Sequence, residues 1–176
     1  IIPARGGSKG IPNKNIIDFQ GMPLIQHSIE YAKQSKYIDR IYVSTDSSDI
    51  KLISINCGAT VIDRPKNISR DESPTESAIQ HFVDSISLDL DSIIVLLQPT
   101  SPLRPSNSLD EILKKMVDKN LDSIFTISAL HPLTWNIIDG KIKSNYNYKQ
   151  RPRRQDFTNN QILYDENGSV YIFSLS

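Results

Sequence analysis

Short apolar runs that end in polar loops alternate along this chain with amphipathic stretches, and that alternation restricts the folds open to it. Ile1-Ile2 leads straight into the glycine-rich stretch Arg5 to Gly10, as a buried strand leads into a loop at the carboxyl edge of a parallel sheet. Pro23 to Gln34 carries Leu24, Ile25, Ile29 and Ala32 at helical spacing, with proline near the first turn. Arg40 to Ser44 reads as a strand, and Asp46 and Ser47 stand where they can cap a helix that stops at Gly58. The inner face of that helix takes Ile50 and Ile53, with Leu52 as a further candidate. Ala59 to Ile62 gives the next strand, Ser77 to Ile86 a helix, Ser92 to Leu97 a central strand, Asn107 to Asp118 a helix and Ser123 to Ser128 another strand. The pattern predicts a three-layer α/β/α sandwich with a mostly parallel sheet.

From His131 to Tyr164 the pattern breaks. Strand-like pieces at Trp135 to Ile138 and Lys141 to Lys143 are joined by Asp139-Gly140, a strong hairpin turn signal. A projecting arm is therefore expected over 131–164, inserted in a core made of 1–130 and 165–176. Ser169 to Phe173 reads as a last strand that stops soon after it begins. Because the first residue is Ile1 and not Met, the core is expected to be truncated at both ends and to belong to a longer protein.

The 176 residues, 38% hydrophobic and 23% charged, suffice for one substantial core. Twenty basic and twenty acidic side chains cancel, so no global field favours nucleic acid or an anionic membrane, and any anion site must be local. Cys57 is the only cysteine, which rules out an internal disulfide and gives no support to a cysteine-based zinc site. No apolar run approaches the roughly 20 residues needed to span a bilayer, and no signal-peptide pattern opens the chain. A soluble, cytoplasmic protein without membrane or nucleic-acid partners is expected. His27, His81 and His131 do not have the spacing of a metal cluster.

The stretch Arg5-Gly6-Gly7-Ser8-Lys9-Gly10-Ile11-Pro12-Asn13-Lys14-Asn15 puts three glycines, one arginine and two lysines directly after a buried strand. Glycines let backbone N–H groups turn toward an anion, and the cations neutralise it, so the composition suits a triphosphate cradle. It is not a Walker A loop, because the Gly-Lys-Ser/Thr ending is missing, and it does not fit G-x-G-x-x-G.

Ile2-Pro-Ala-Arg-Gly-Gly-Ser-Lys-Gly-Ile-Pro-Asn-Lys-Asn15 resembles the signature of the acylneuraminate cytidylyltransferases, the CMP-sialic acid synthetases. The similarity continues through Val43-Ser-Thr-Asp46, Arg64-Pro65 followed by Asp71, Leu96-Leu-Gln-Pro-Thr-Ser-Pro-Leu-Arg104, and Asn167-Gly168 with Val170-Tyr171-Ile172. These five blocks in order cover nearly the whole chain. The resemblance implies a nucleotide-diphospho-sugar transferase type of fold and the coupling of CTP to an acidic nine-carbon sugar, with release of pyrophosphate. It implies that Arg5, Ser8, Lys9, Lys14 and Asn15 hold CTP, with Arg5 and Lys14 stabilising charge on the α-phosphate and the departing pyrophosphate. Arg64 and Thr75 match the segment that recognises cytosine, and structural roles stand beside that one for both. Asp46 reads as a helix cap, with orientation of loop residues as its alternative.

By the same resemblance Gln98, Thr100 and Ser101 contact the sugar, while Arg104 supplies charge or braces the loop. The basic run Lys149 to Arg154 falls on the family's dimerisation arm, where Arg153 matches a residue that reaches the partner subunit's sugar site in a homodimer. Magnesium is implied, with its aspartates expected beyond Ser176 and no protein ligand assigned here. Two departures bear on the sugar: Asp165 aligns where the family carries Arg, and Thr134 where it carries Lys. An acid in place of a base near a carboxylated sugar reverses a local attraction, which directs the expectation toward a legionaminic-type or other nonulosonic acid. The stretch Asp156 to Leu163 is also longer than usual. A Kdo-type synthase and a non-catalytic nucleotide- or sugar-binding module remain the alternatives.

Overall fold

The computed structural model describes residues 1–157 and 162–175, so part of the long stretch after Asp156 lies outside the described residues. The chain divides into two compact units, Ile1–Thr126 with Gly168–Ser176, and Ile127–Asn167.

In the first unit, β1 (Ile2–Pro3) pairs in parallel with β4 (Tyr42–Thr45), which pairs in parallel with β5 (Thr60–Asp63). A second set of strands has the order β6 (Ile93–Leu97), β10 (Leu163–Ser174), β7 (Ser123–Leu130). Two bonds on Ile1 join the sets: its nitrogen donates to the Val95 carbonyl at 2.7 Å, and its carbonyl accepts from Leu97 N–H at 3.0 Å. One residue bonded to j−1 and j+1 is the parallel pattern, so β1 lies between β4 and β6. The small hairpin of β2 (Asp18–Phe19) and β3 (Met22–Pro23) turns at Gln20 and Gly21, both at positive φ.

The helices occupy the expected stretches. α1 (Leu24–Lys33) buries Ile25, Ile29 and Ala32 at spacings of four and three. α2 (Ser48–Asn56) follows β4, α3 (Thr75–Ser85) buries Ala78 and Phe82, and α4 (Ser108–Asp118) buries Leu109, Leu113 and Met116. Ile25, Ile29, Val43, Leu97, Leu109 and Ile172 join one hydrophobic cluster between sheet and helices.

Three local expectations are corrected. Leu52 is 61% exposed, because it lies two residues, about 200° of helix, from the buried Ile50. Ser47 alone holds the N-cap of α2, its hydroxyl accepting from Ile50 N–H at 3.5 Å, while Asp46 is engaged elsewhere. The last strand begins at Leu163, six residues before Ser169, and its Val170–Ser174 portion runs antiparallel to β6. The charged and glycine-containing stretch Asp165 to Gly168 near its start breaks the apolar run that would reveal it.

In the second unit β8 (Trp135–Ile138) and β9 (Lys141–Ser144) form the hairpin foreseen from Asp139-Gly140. Both turn residues have positive φ, 51° and 72°, as a type I′ turn requires.

Replacing Ile29, which is fully buried, by Ala should cost about 3 kcal/mol in urea unfolding, whereas Leu52→Ala should stay within about 0.5 kcal/mol. Similar losses for both would contradict the packing of α1 and α2.

Candidate nucleotide site

The chain runs from β1 through α1 to β4 on one side, then returns to place β6 on the other side of β1. That reversal is a topological switch point, where α/β folds open a crevice at the carboxyl ends of their strands. The loop after β1 carries Arg5 to Asn15, and the loop after β6 carries Gln98 to Arg104. Parallel pairing of β1 with β6 therefore sets these two polar loops side by side.

The first loop is shaped from below. Asn15, only 5% exposed, donates its amide to the Arg5 carbonyl at 2.9 Å. Gly6 N–H donates to Asp46 Oδ1 at 2.8 Å, so Asp46 takes the orienting role and not the cap. Gly6 sits so close to β4's end that a Cβ there would meet Ser47 Cβ at 3.2 Å. Ser8 N–H turns back to the Gly6 carbonyl at 2.7 Å, and Asn13, at φ 54°, starts the 3₁₀ turn that presents the half-buried Lys14.

Arg64 lies beneath this loop, 8% exposed. Its Nε donates to Ser44 Oγ at 3.0 Å and its Nη2 to the Ser44 carbonyl at 2.6 Å. Burial pulls its pKa down, and Asp46 offsets part of that effect. Thr75 is the first residue of α3 and is half-buried. Above the loop, Asp71 forms ion pairs with Arg5 and with Lys9, the latter at 2.7 Å. The Lys9 hydrogen bond, then that of Arg5, holds the Asp71 carboxyl below its ordinary range.

The second loop is pinned by Arg104. Its Nη2 donates to the Gln98 carbonyl at 2.7 Å and to the Ser169 carbonyl at 3.0 Å, and its Nη1 donates to Ser28 Oγ at 3.1 Å. The guanidinium also lies over the Tyr31 ring, 5.2 Å from its centroid. Burial lowers its pKa to about 10, which leaves it charged at neutral pH. Gln98 is half-buried beside Gly168, where a Cβ would come within 3.1 Å of its Oε1. Gly168, at φ 64°, makes room for that side chain. Thr100 is exposed and Ser101 half-buried, its N–H donating to the Gln98 carbonyl at 3.2 Å.

In the second unit Arg153 holds Asp156 through Nε at 3.0 Å and Nη2 at 2.9 Å, a two-pronged pair that lowers the Asp156 carboxyl's pKa. No group of three His, Cys, Asp or Glu side chains assembles among the described residues. With Asp46 on Gly6 and Asp71 on Arg5 and Lys9, the described carboxylates at this edge do not fit a magnesium site of their own. A cavity of about 540 Å³ opens at the amino-terminal ends of β4 and β6, lined by Tyr37, Arg40, Phe82 and Asp89 among others. It lies at the opposite sheet edge from the cationic loop.

Sequence reasoning marked Arg5, Lys9 and Asn15 but missed their partners. Asp71 entered only as part of a resemblance, and its pairing joins positions far apart in the chain.

A largely parallel α/β sheet thus sets a cationic glycine-rich turn and a proline-stiffened polar turn side by side at its switch point, where folds of this class hold their ligands. The chain belongs to the cytidylyltransferase family, whose model matches residues 1–172. It is 36% identical over 179 residues to an N-acylneuraminate cytidylyltransferase of Oncorhynchus mykiss, covering 99% of this chain and 40% of that protein. It is 32% identical over 178 residues to a pseudaminic acid cytidylyltransferase of Campylobacter jejuni, covering 97% of this chain and 75% of that protein. The chain thus spans about 40% of the length of the N-acylneuraminate cytidylyltransferases it matches. Among solved structures, a CMP:2-keto-3-deoxy-manno-octonic acid synthetase complexed with CTP superposes with a TM-score of 0.70 at 20% identity, covering 99% of this chain and 72% of that one. That likeness supports the fold.

Arg104→Met would remove the guanidinium's bonds to the Gln98 and Ser169 carbonyls and the Ser28 hydroxyl, and should destabilise the protein by about 2–3 kcal/mol in urea unfolding. A variant as stable as the parent would show that water replaces the guanidinium at no cost.

Proposed function

We propose that this chain forms the nucleotide-binding part of a cytidylyltransferase that couples CTP to a nonulosonic, sialic acid-like sugar, giving a CMP-sugar and pyrophosphate. The observation that carries the proposal is the juxtaposition, through β1 and β6, of a cationic loop suited to a triphosphate with a polar loop suited to a sugar. The names of the relatives, which include N-acylneuraminate and pseudaminic acid cytidylyltransferases, supply the substrate classes.

In this reading the anomeric hydroxyl attacks the α-phosphorus in line. The new O–P bond forms as the bond to the bridging oxygen of pyrophosphate breaks, and the hydroxyl proton passes to solvent or to a base outside the assigned residues. Arg5, Ser8, Lys9, Lys14 and Asn15 serve the triphosphate, with Arg5 and Lys14 opposing charge that builds on the α-phosphate and the leaving group. Asn15 acts by holding the Arg5 carbonyl. Thr75 faces the base. Arg64, turned inward onto Ser44, serves the site by supporting β4's end. Gln98, Thr100 and Ser101 serve the sugar, and Arg104 holds their loop. Magnesium enters as the counter-ion of CTP. Asp165 and Thr134, at positions where the resemblance calls for bases, favour a legionaminic-type or related acid over N-acetylneuraminate.

We further propose a homodimer. Its support is the apolar exposure of the arm, where Ile137 is 78% and Ile142 72% exposed. Arg153 is the arm residue proposed for the partner's sugar site, and it would have to leave Asp156 to act there. A single cysteine suits a cytoplasmic setting.

Pyrophosphate release from the full-length protein with magnesium, CTP and a panel of nonulosonic acids, beside ATP, GTP and UTP, tests the reading. Release confined to CTP with one acid is expected, and Lys14→Ala should lower kcat by about 10²- to 10³-fold. CTP binding without release with any acid, Kdo included, would sink it in favour of a binding module. Ile137→Asp should shift the sedimentation coefficient from dimer to monomer, and an unchanged dimer would remove the arm from the interface.

A further inference from the structure

Asp71 closes an ionic bridge over the glycine-rich loop. One carboxylate oxygen takes the Arg5 guanidinium and the other takes the Lys9 ammonium at 2.7 Å. Two anionic oxygens, each with its own cationic donor, are what the oxyanions of a polyphosphate would present to the same side chains. Arg5 is aimed by a second bond, from Nη1 to the Gly7 carbonyl at 2.8 Å, so its direction is set by the loop and not by Asp71 alone.

The site's two carboxylates differ in how readily they can leave. Asp46 accepts from a backbone N–H of a packed loop and offsets the buried Arg64 charge. Among the described residues Asp71 binds side-chain heads alone, and the Lys9 side chain is 82% exposed. The Lys9 pair is therefore weak and exchanges for another anion at little cost, while the Arg5 pair, with side chains 29% and 24% exposed, stays within reach of solvent at the loop's edge. Asp71 also stands in a short turn between the 3₁₀ helix Lys66–Ile68 and α3, held locally by Ser73 N–H on the Arg70 carbonyl and Arg70 N–H on Ser73 Oγ, both at 3.2 Å.

We propose that Asp71 is a built-in counter-anion that occupies the polyphosphate positions at Arg5 and Lys9 in the empty protein and is displaced by the incoming nucleotide. The inference rests on reading this loop as the CTP site. It gives Asp71 two effects on the proposed reaction. Nucleotide entry exchanges two ion pairs for two others, which weakens the net gain from each phosphate contact. After transfer, the returning carboxylate competes with pyrophosphate for the same cations and speeds its departure.

The probe is inorganic tripolyphosphate, titrated by calorimetry at low salt into the full-length protein, Asp71→Asn, Lys9→Ala and the double variant. Asp71→Asn should bind it about three- to tenfold more tightly than the parent, with an unchanged far-ultraviolet spectrum. In the Lys9→Ala background the gain should shrink, because one of the two pairs is already gone. Equal or weaker binding by a folded Asp71→Asn, or the same gain in both backgrounds, would overturn the exchange. Should Asp71→Asn fail to fold, Asp71→Ser carries the same comparison. The two readings fail separately: a parent protein that turns over CTP while Asp71→Asn shows no gain loses only the exchange. One that shows the gain but never releases pyrophosphate loses only the transferase. A parent that binds no tripolyphosphate and no CTP loses both.

Discussion

The two hydrogen bonds that tie Ile1 to Val95 and Leu97 decide where everything else in the first unit falls. They make β1 an interior strand with parallel neighbours on both sides, and so join two three-stranded sets into one sheet. With β1 interior, its short carboxyl end feeds a loop that has β4's loop on one side and β6's on the other. Asp46 reaches Gly6 from the first neighbour. Gln98 to Arg104 comes from the second. Only one of these loops could lie beside the glycine-rich stretch if β1 lay at an edge.

Charge is handled in two ways around that edge. Arg64 and Arg104 are drawn inward, where burial disfavours their charge and backbone carbonyls and serine hydroxyls compensate it. A guanidinium suits this task because its planar fork satisfies several acceptors at once. These arginines hold loops. Arg5, Lys9 and Lys14 stay on the rim, and two of them find a carboxylate in Asp71. A chain of zero net charge can thus carry a local cluster of cations, because most of the opposing acids are distributed elsewhere.

Apolar periodicity made the helices and most strands legible, since α1 and α4 bury stripes at spacings of three and four and α3 buries Ala78 and Phe82 one turn apart. The hairpin was legible for a different reason: Asp139-Gly140 tolerates two consecutive positive φ values. Leu52 misled because an apolar residue in an amphipathic stretch need not face inward, and only the phase of the helix shows that it points to solvent. β10 was visible only at its apolar end, because the polar and glycine residues Asp165 to Gly168 interrupt it.

The sequence by itself determined which chemistry is present: a cationic glycine loop after a buried strand, a polar proline-stiffened loop after another, and the alternation that makes both end at one sheet edge. Those features are local, set by side-chain type and spacing along a few residues. Only the tertiary structure decided which cations stay on the loop's rim and which brace the scaffold. Arg5 and Arg64 are the same residue type, yet one meets Asp71 at the surface and the other lies under β4, 8% exposed. Likewise Asp46 could cap or orient until the fold brought Gly6 N–H to it across 40 positions. Partners this far apart in the chain meet through strand order, and strand order is a property of the whole sheet.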